Sequence, residues 1–229
     1  MGSTGYESQL METLVQTNFI DGLAPPLQIA LFLTALAFLS AALVCVTAFT
    51  RIVIVLSFVR RALTTQEIPP NQVVIGLAMF MTMFIMGPTI DAVFEDAVVP
   101  YRGGDTTMAV AVERSLQHLH EFMLYQTRVQ DIALFIELGD IEAPQTPADT
   151  PMRVLIPAFI VSELKTAFIM GFCIYVPFLL VDLVVSTMLM ALGMMMMPPA
   201  MMSLPVKILL FVLVDGWTLV MRALSMSFG

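Results

Sequence analysis

Six charged residues interrupt otherwise apolar stretches of this 229-residue chain: Arg51, Glu163, Lys165, Asp182, Lys207 and Asp215. An ionised side chain at the centre of a lipid-facing helix costs about 2.5–3.5 kcal/mol, so these groups must pair, reach a polar boundary or lie outside lipid. Three are acids and three are bases, so complete pairing is possible. Glu163 and Lys165 point to different helix faces, and each needs a partner elsewhere, which can be another subunit. The alternative, extension of the side chain to the membrane boundary, suits Arg51 and Lys207 better than the two short aspartates.

Methionine is concentrated in one segment of the second half. Eight of the 20 methionines lie between residues 188 and 202, and four are consecutive at 194–197, between Gly193 and Pro198-Pro199. Glycine loosens a helix and two prolines stop it, so these four are predicted to lie at a break or loop. Flexible thioethers contributed by several subunits could close a passage against ions and still yield to a passing chain. The alternative is gap-filling packing in a core, which is the interpretation for the methionines at 79, 81, 83 and 86.

Signals for catalysis and metal binding are weak. His118 and His120 are two residues apart on a predicted helix, the wrong spacing for a shared metal. Cys45 and Cys173 lie in apolar runs and are predicted to be buried free thiols. The chain contains neither a glycine-rich phosphate loop nor a serine in a nucleophile-elbow setting. We therefore expect a protein that is not an enzyme and has no cofactor or metal.

Composition indicates a membrane or membrane-assembly protein. The chain is 59% hydrophobic and only 12% charged, whereas soluble domains carry about 25% charged residues. The 18 acids against 10 bases argue against a nucleic-acid binder. Residues 91–150 hold eleven acids and three arginines, which account for the whole net charge of −8. An acidic middle therefore separates two apolar, electrically balanced flanks.

The first flank reads as a helical hairpin over residues 27–90, after a polar N-terminal segment at 1–26. Residues 27–50 lack charge and, as one helix, would cover about 36 Å, enough to cross a hydrocarbon core of about 30 Å. The run is too long for a signal-peptide core and no basic residue precedes it, so we predict no secretory signal. Pro69-Pro70 predicts a turn at 60–70, before a second uncharged stretch at 68–90.

The acidic middle, residues 91–153, is predicted to be helical. Leu116, Leu119 and Met123 recur at helical spacing, so 107–138 is an amphipathic helix or a broken pair of helices. In the last region, 154–229, prolines at 157, 177, 198, 199 and 205 are expected to cut the apolar sequence into short helical pieces. We therefore expect a second, broken-helix hairpin with a methionine-rich loop.

Basic residues give an orientation. Only acids precede the first apolar run, whereas Arg51, Arg60 and Arg61 follow it. Because cytoplasmic loops are enriched in Lys and Arg, the hairpin tip should face the cytoplasm and the acidic middle should be extracytoplasmic.

Seven stretches, in the same order, resemble the FliP family of type III protein-export gates in flagella and virulence injectisomes. They occupy residues 49–56, 69–73, 76–80, 121–128, 162–168, 189–199 and 211–217. The resemblance implies an all-α, non-enzymatic pore subunit in the bacterial inner membrane, at the flagellar basal body. It also implies bent hairpins wound into a conical ring of five copies, completed by FliR, with FliQ outside and FlhB, FlhA and FliO nearby. Unfolded flagellar export substrates would pass through this ring, and charges within apolar runs would be buried between subunits.

The same resemblance implies residue roles. Met194, Met195 and Met196 would line the pore constriction, whereas Met197 occupies a variable position. The subunit interface would include four further residues: Glu163, Lys165, Phe122 and Phe135. Many family members begin with a cleavable signal peptide, and Tyr125 stands where the family often has arginine.

Two other functions remain open from the residues alone. An ion-coupled secondary transporter would use its broken helices, with Asp182 and Asp215 in a substrate or proton site near the midplane. A structural scaffold without a conduit is the third possibility. Carriers often contain two similar halves, and residues 27–90 and 154–228 show no repeat, which favours the pore.

Overall fold

The computed structural model describes residues 24–63, 69–142, 144–194 and 197–229, excepting the side chains of 39–43. Within these ranges the chain forms helices and contains no β-strand, so the all-α prediction is confirmed. The α-helices are α1 Pro25–Val46, α2 Phe49–Ala62, α3 Asn71–Ile85, α4 Gly87–Val93, α5 Val99–Gly103, α6 Met108–Gln126, α7 Val129–Leu138, α8 Met152–Ala191, α9 Pro199–Leu213 and α10 Gly216–Met226. A π-helix at Phe94–Val98 joins α4 to α5, and a short 3-10 helix lies at Pro147–Asp149.

The chain divides into two compact units, Met1–Leu43 and Val44–Gly229. Within the described residues, the first unit is represented by the greater part of α1. Every site discussed below belongs to the second unit.

The uncharged run at 27–50 is not one helix, contrary to the prediction. Helix α1 ends at Val46 and α2 begins at Phe49, so Thr50 belongs to the second helix. The hydroxyl of Thr47 accepts a hydrogen bond from the Phe49 N–H, 3.4 Å away. A threonine hydroxyl can accept a backbone hydrogen bond in place of a helical carbonyl. A hydropathy pattern does not detect this local hydrogen bond.

Helix α2 forms the centre of the main core. Its fully buried residues Ile52, Val55 and Val59 recur at helical spacing, as expected for a helix with one apolar stripe. This stripe packs against α3 and α8. At Gly171 of α8 a Cβ atom would lie 2.4 Å from the Phe58 ring, so only glycine permits the close approach of α2 and α8.

Helix α8 overturns the expected fragmentation of residues 154–229. It runs unbroken for 40 residues, with Pro157 and Pro177 inside it. Proline has a φ angle near −65°, which fits a helix, so each of these prolines removes one backbone hydrogen bond without ending α8. The chain does break at Pro198, and α9 meets α10 at a bend of 62°.

Among the described residues, α8 is the one unbroken helix that is long and apolar enough to cross a membrane. Counting each of two bent pairs as one span, α3 with the helical segment Gly87–Gly103 and α9 with α10, gives up to three spans. Helix α8 is about 60 Å long, twice the thickness of a hydrocarbon core of about 30 Å. Part of α8 therefore extends beyond the hydrocarbon if it crosses close to the membrane normal.

The acidic middle contains a broken pair of helices, one of the two predicted forms. Helix α6 ends at Gln126, Thr127 and Arg128 are extended, and α7 begins at Val129. The Thr127 hydroxyl donates to the Met123 carbonyl, 2.6 Å away, and so satisfies an acceptor at the end of α6. Helices α6 and α7 both pack against α8.

Candidate functional site

The methionine-rich segment begins at a capped helix end. The N–H of Met194 donates to the Leu189 carbonyl at 2.9 Å, and the N–H of Gly193 donates to the Met190 carbonyl at 3.0 Å. Gly193 has a φ angle of +76°, in the left-handed region that glycine adopts without strain. These features form a Schellman motif, which ends α8 at a defined residue.

The four consecutive methionines follow this cap. Met194 is 41% exposed and Met197 is 39% exposed, so these two do not fill a core within the chain. Met195 and Met196 lie outside the described residues. Helix α9 then begins at Pro199, after an extended Pro198. Residues 194–197, called the methionine loop, therefore lie between α8 and α9.

An ion pair links the two helices that flank the methionine loop. The ammonium of Lys207 in α9 lies 2.6 Å from Asp182 Oδ2 in α8, and the Ser203 hydroxyl donates to Asp182 Oδ1 at 2.6 Å. The Lys207 side chain is 2% exposed, whereas that of Asp182 is 29% exposed. The pair fixes the register of α9 on α8 within a few turns of the loop.

A second ion pair lies deep in the core, between α2 and α8. Arg51 Nε donates to Glu163 Oε2 at 2.8 Å, and Nη2 donates to Glu163 Oε1, so the contact is bidentate. The side chains of Arg51 and Glu163 are 2% and 0% exposed. The family resemblance implies that such charges are buried between subunits; within this chain, Glu163 has its counter-ion in Arg51.

The remaining donors of Arg51 hold the end of the described chain. Nη1 donates to the carbonyl and, at 3.0 Å, to the hydroxyl of Ser227, and Nη2 lies 3.3 Å from Gln126 Oε1. The guanidinium carbon lies 3.7 Å from the centre of the Phe228 ring, a cation–π contact. Gln126 in turn donates to the Phe228 carbonyl at 2.9 Å. One buried arginine thus ties together α2, α6, α8 and the segment after α10.

The other two interrupting charges do not join these pairs. Lys165 and Asp215 are exposed, and the ion pairs formed by the described part of the chain do not include either of them. Asp215 adopts a left-handed conformation with a φ angle of +51° at the bend between α9 and α10. Asp182 and Asp215 therefore have different environments rather than one common site.

The two aromatic residues assigned to a subunit interface are both half-buried. Phe122 makes an edge contact with Phe159 of α8, their ring centres 6.1 Å apart. Phe135 lies in α7, three residues before the exposed Leu138. Each keeps part of its ring accessible within a single chain.

Several polar contacts were not predicted from the sequence. Gln126, Ser203 and Ser227 complete the two ion pairs, and the backbone N–H of Arg128 donates to the Ser162 hydroxyl at 3.1 Å. Gln126, Arg128 and Ser162 fall within the stretches that carry the family resemblance. The family match could therefore have pointed to these three residues. Ser203 and Ser227 lie outside those stretches.

The histidines have separate partners. His118 Nε2 lies 2.9 Å from Asp96 Oδ2, and His120 Nε2 lies 2.7 Å from the Thr150 carbonyl. Across residues 24–63, 69–142, 144–194 and 197–229, no group of three His, Cys, Asp or Glu residues could hold a metal ion. Each histidine therefore connects α6 to another segment of the chain.

The sequence profile of the FliP family matches residues 32–224, which include both ion pairs and the methionine loop. The chain belongs to the FliP family. Ser227 and Phe228, which contact Arg51, lie just beyond the matched range.

Relatives support this membership over most of the chain. A flagellar biosynthetic protein FliP of Pectobacterium carotovorum is 54% identical over 88% of this chain and 78% of its own length. The protein of the same name in Bacillus subtilis is 47% identical, over 91% of this chain and 94% of the relative. That of Buchnera aphidicola subsp. Acyrthosiphon pisum is 51% identical over 89% of this chain, but the match spans only 54% of that longer relative.

Proposed function

We propose that this protein is a pore-forming core subunit of the flagellar type III protein-export gate in the bacterial inner membrane. The FliP family and relatives named flagellar biosynthetic proteins support a role in flagellar export. The apolar helix α8 supports residence in a membrane. The observation that carries the pore assignment is the exposure of Met194 and Met197, the two ends of the methionine loop, directly after the capped end of a long helix.

In this proposal, several copies bring their methionine loops together around one axis. Met194, Met195 and Met196 of each copy form the constriction, and their thioethers close it against ions. Because methionine has three rotatable side-chain bonds and no branch, such a ring adapts to an unfolded chain of varied side chains. The Lys207–Asp182 pair holds α9 on α8, so the loops keep a fixed position while their side chains yield.

Assembly supplies the neighbours that a single copy lacks. Large apolar side chains such as Phe172 and Leu183 are more than half exposed on α8, which supports burial against other copies or lipid. We assign Lys165, Phe122 and Phe135 to direct contact with a neighbouring copy. Glu163 would act on the same interface through the α2–α8 packing that it stabilises. A ring of five copies with FliR, FliQ, FlhB, FlhA and FliO is the assembly that the family implies.

The orientation proposed from the basic residues follows the same scheme. Arg60 and Arg61 at the end of α2 face the cytoplasm, and the acidic region containing α6 and α7 is extracytoplasmic. Labelling single cysteines introduced at Arg61 and at the exposed Glu137 with a membrane-impermeant maleimide tests this. Modification of position 137 alone in intact spheroplasts is expected, and the reverse pattern would refute the orientation.

The carrier alternative receives less support. It requires Asp182 and Asp215 in one site, whereas Asp182 pairs with Lys207 and Asp215 lies at the α9–α10 bend. Proteoliposomes that contain the purified protein alone should show no saturable uptake of solutes. Saturable uptake would favour the carrier over the pore.

The decisive experiment replaces Met194, Met195 and Met196 together with alanine in cells. We expect normal amounts of assembled complex but a measurable leak of small ions, because alanine leaves the constriction open. Alanine at Met79, Met81 and Met83, within α3, is the matched control and should not cause a leak. Unchanged ion permeability in the loop variant, at normal assembly, would exclude the methionine seal.

A further inference from the structure

A cavity of about 270 Å³ lies between α2 and α8. The α2 residues that line it recur at helical spacing, and α8 contributes one ring. The lining residues are Val53, Ile54, Ser57, Phe58, Arg61 and Phe168. One helix face thus contributes two apolar residues, a hydroxyl, an aromatic ring and, at its end, a guanidinium.

The charge and the apolar surface of this cavity lie at different ends. Phe58 and Phe168 form an edge-to-face pair with ring centres 5.8 Å apart and make an apolar wall. The Ser57 hydroxyl donates to the Val53 carbonyl at 2.7 Å, which leaves Arg61 as the charged donor of the cavity. The cavity is therefore amphipathic, with the Arg61 cation at one end of the α2 face, Val53 and Ile54 at the other end, and Phe58 between them.

Arg61 is available to a ligand. It is exposed, and the ion pairs of the chain's described part do not include it. The neighbouring Arg60 has a different role, because its Nη1 lies 3.3 Å from Asn71 Oδ1 at the start of α3. A second positive charge next to Arg61 nevertheless strengthens the local attraction for an anion.

The apolar wall continues beyond the cavity along α8. Phe168 is 54% exposed, and the adjacent Ile169 and, one turn further along α8, Phe172 are also more than half exposed. A chain that leaves the cavity would therefore meet apolar surface on the helix that is long enough to cross a membrane. The cavity alone is slightly smaller than the roughly 300–1,000 Å³ of typical small-molecule sites, so it accommodates only the first part of a long ligand.

We propose that this cavity binds an anionic phospholipid. The phosphate lies at Arg61, the first acyl segment packs against Phe58 and Phe168, and the rest of the chain follows the exposed face of α8. Charge complementarity, the apolar wall and its continuation on a candidate membrane helix all favour a lipid over a soluble anion. The inference is independent of the pore function, because it concerns a surface remote in sequence from the methionine loop.

Native mass spectrometry of the detergent-purified assembly tests the proposal, with dioleoyl phosphatidylglycerol and dioleoyl phosphatidylcholine as probes. We expect tighter binding of the anionic lipid, and Arg61→Gln should weaken it roughly fivefold, the effect of one basic residue near an anionic headgroup. Phosphatidylcholine binding should fall less, because the choline ammonium offsets the charge of its phosphate. Arg222→Gln, at an exposed arginine of α10 that does not line the cavity, is the matched control and should leave both affinities unchanged.

Phe168→Ala separates the two ends of the site, because it should weaken both lipids alike. Equal affinity for the two lipids, or an unchanged preference in Arg61→Gln, would overturn the proposal. Displacement of the lipid by millimolar inorganic phosphate would also contradict it, since a soluble anion would then suffice. If Arg61→Gln instead lowers the number of copies in the complex without altering lipid binding, the cavity receives a second copy of the chain and not a lipid.

Discussion

Helix α8 carries one acid towards each end, and the two acids have different surroundings. Glu163 and Asp182 are separated by about 28 Å along the helix, close to the thickness of a hydrocarbon core. Glu163 is fully buried and receives two hydrogen bonds from Arg51. Asp182 is partly exposed and receives one from Lys207 and one from Ser203. The Arg51–Glu163 pair is therefore shielded from solvent and is called the sealed pair. The Lys207–Asp182 pair is partly accessible and is called the open pair.

This difference separates a structural role from a positioning role. The sealed pair connects four parts of the chain that are distant in sequence, so its loss should disturb the whole packed unit. The open pair connects α8 to α9 close to the methionine loop, so its loss should mainly affect the position of that loop. Four substitutions, chosen at the two pairs, test the distinction.

The largest effect is expected for Glu163→Ala. This change leaves the Arg51 guanidinium buried without its carboxylate, which typically costs about 3–5 kcal/mol. We expect a large fall in the thermal unfolding midpoint of the detergent-solubilised protein and less assembled complex on a native gel. Glu137→Ala, at an exposed acid of α7, is the control and should behave like the unaltered chain. A complex of normal size and stability from Glu163→Ala would show that the sealed pair is dispensable.

The open pair should respond asymmetrically. Asp182→Ala removes the carboxylate from a lysine that is almost fully buried, so we expect a loss of about 2 kcal/mol, the scale for a buried donor that loses a hydrogen-bond acceptor. Lys207→Ala leaves an aspartate that is already partly exposed and can be hydrated, so about 1 kcal/mol is expected. Thermal unfolding measures both. Cells that carry either variant should also be more permeable to small ions than cells that carry a control variant with the same loss of stability. Equal stability losses, or losses as large as that of Glu163→Ala, would mean that the Lys207–Asp182 pair is shielded from solvent as completely as the Arg51–Glu163 pair.

The smallest effect is expected for Phe228→Ala, at the edge of the sealed pair. It removes a cation–π contact with Arg51 but keeps the Glu163 carboxylate, so the expected loss is about 1 kcal/mol. Combining it with Glu163→Ala should give less than the sum of the two losses, because both act on the same guanidinium. Additive losses in thermal unfolding would place Phe228 outside the sealed network.

Local sequence patterns predicted part of this architecture. The spacing of apolar residues indicated helices throughout, and Gly193 with Pro198-Pro199 indicated the end of a helix at the methionine loop. These features depend on residues within one or two turns of each other, so the sequence contains them directly. The same local reasoning failed at Pro157, Pro177 and Pro205, which lie inside helices, because whether a proline breaks a helix depends on what surrounds it.

The sequence by itself determined the helical class, the family and the site of the methionine loop, since each is written in neighbouring residues or in a run of matching motifs. It also specified that three acids and three bases lie within apolar stretches of the chain. Only the tertiary structure decided that Arg51 pairs with Glu163, 112 residues away, and that Lys207 pairs with Asp182. Lys165 and Asp215 stay at the surface. Periodicity tells which face of a helix is apolar, but the partner of a charge depends on which helices pack together and at what register.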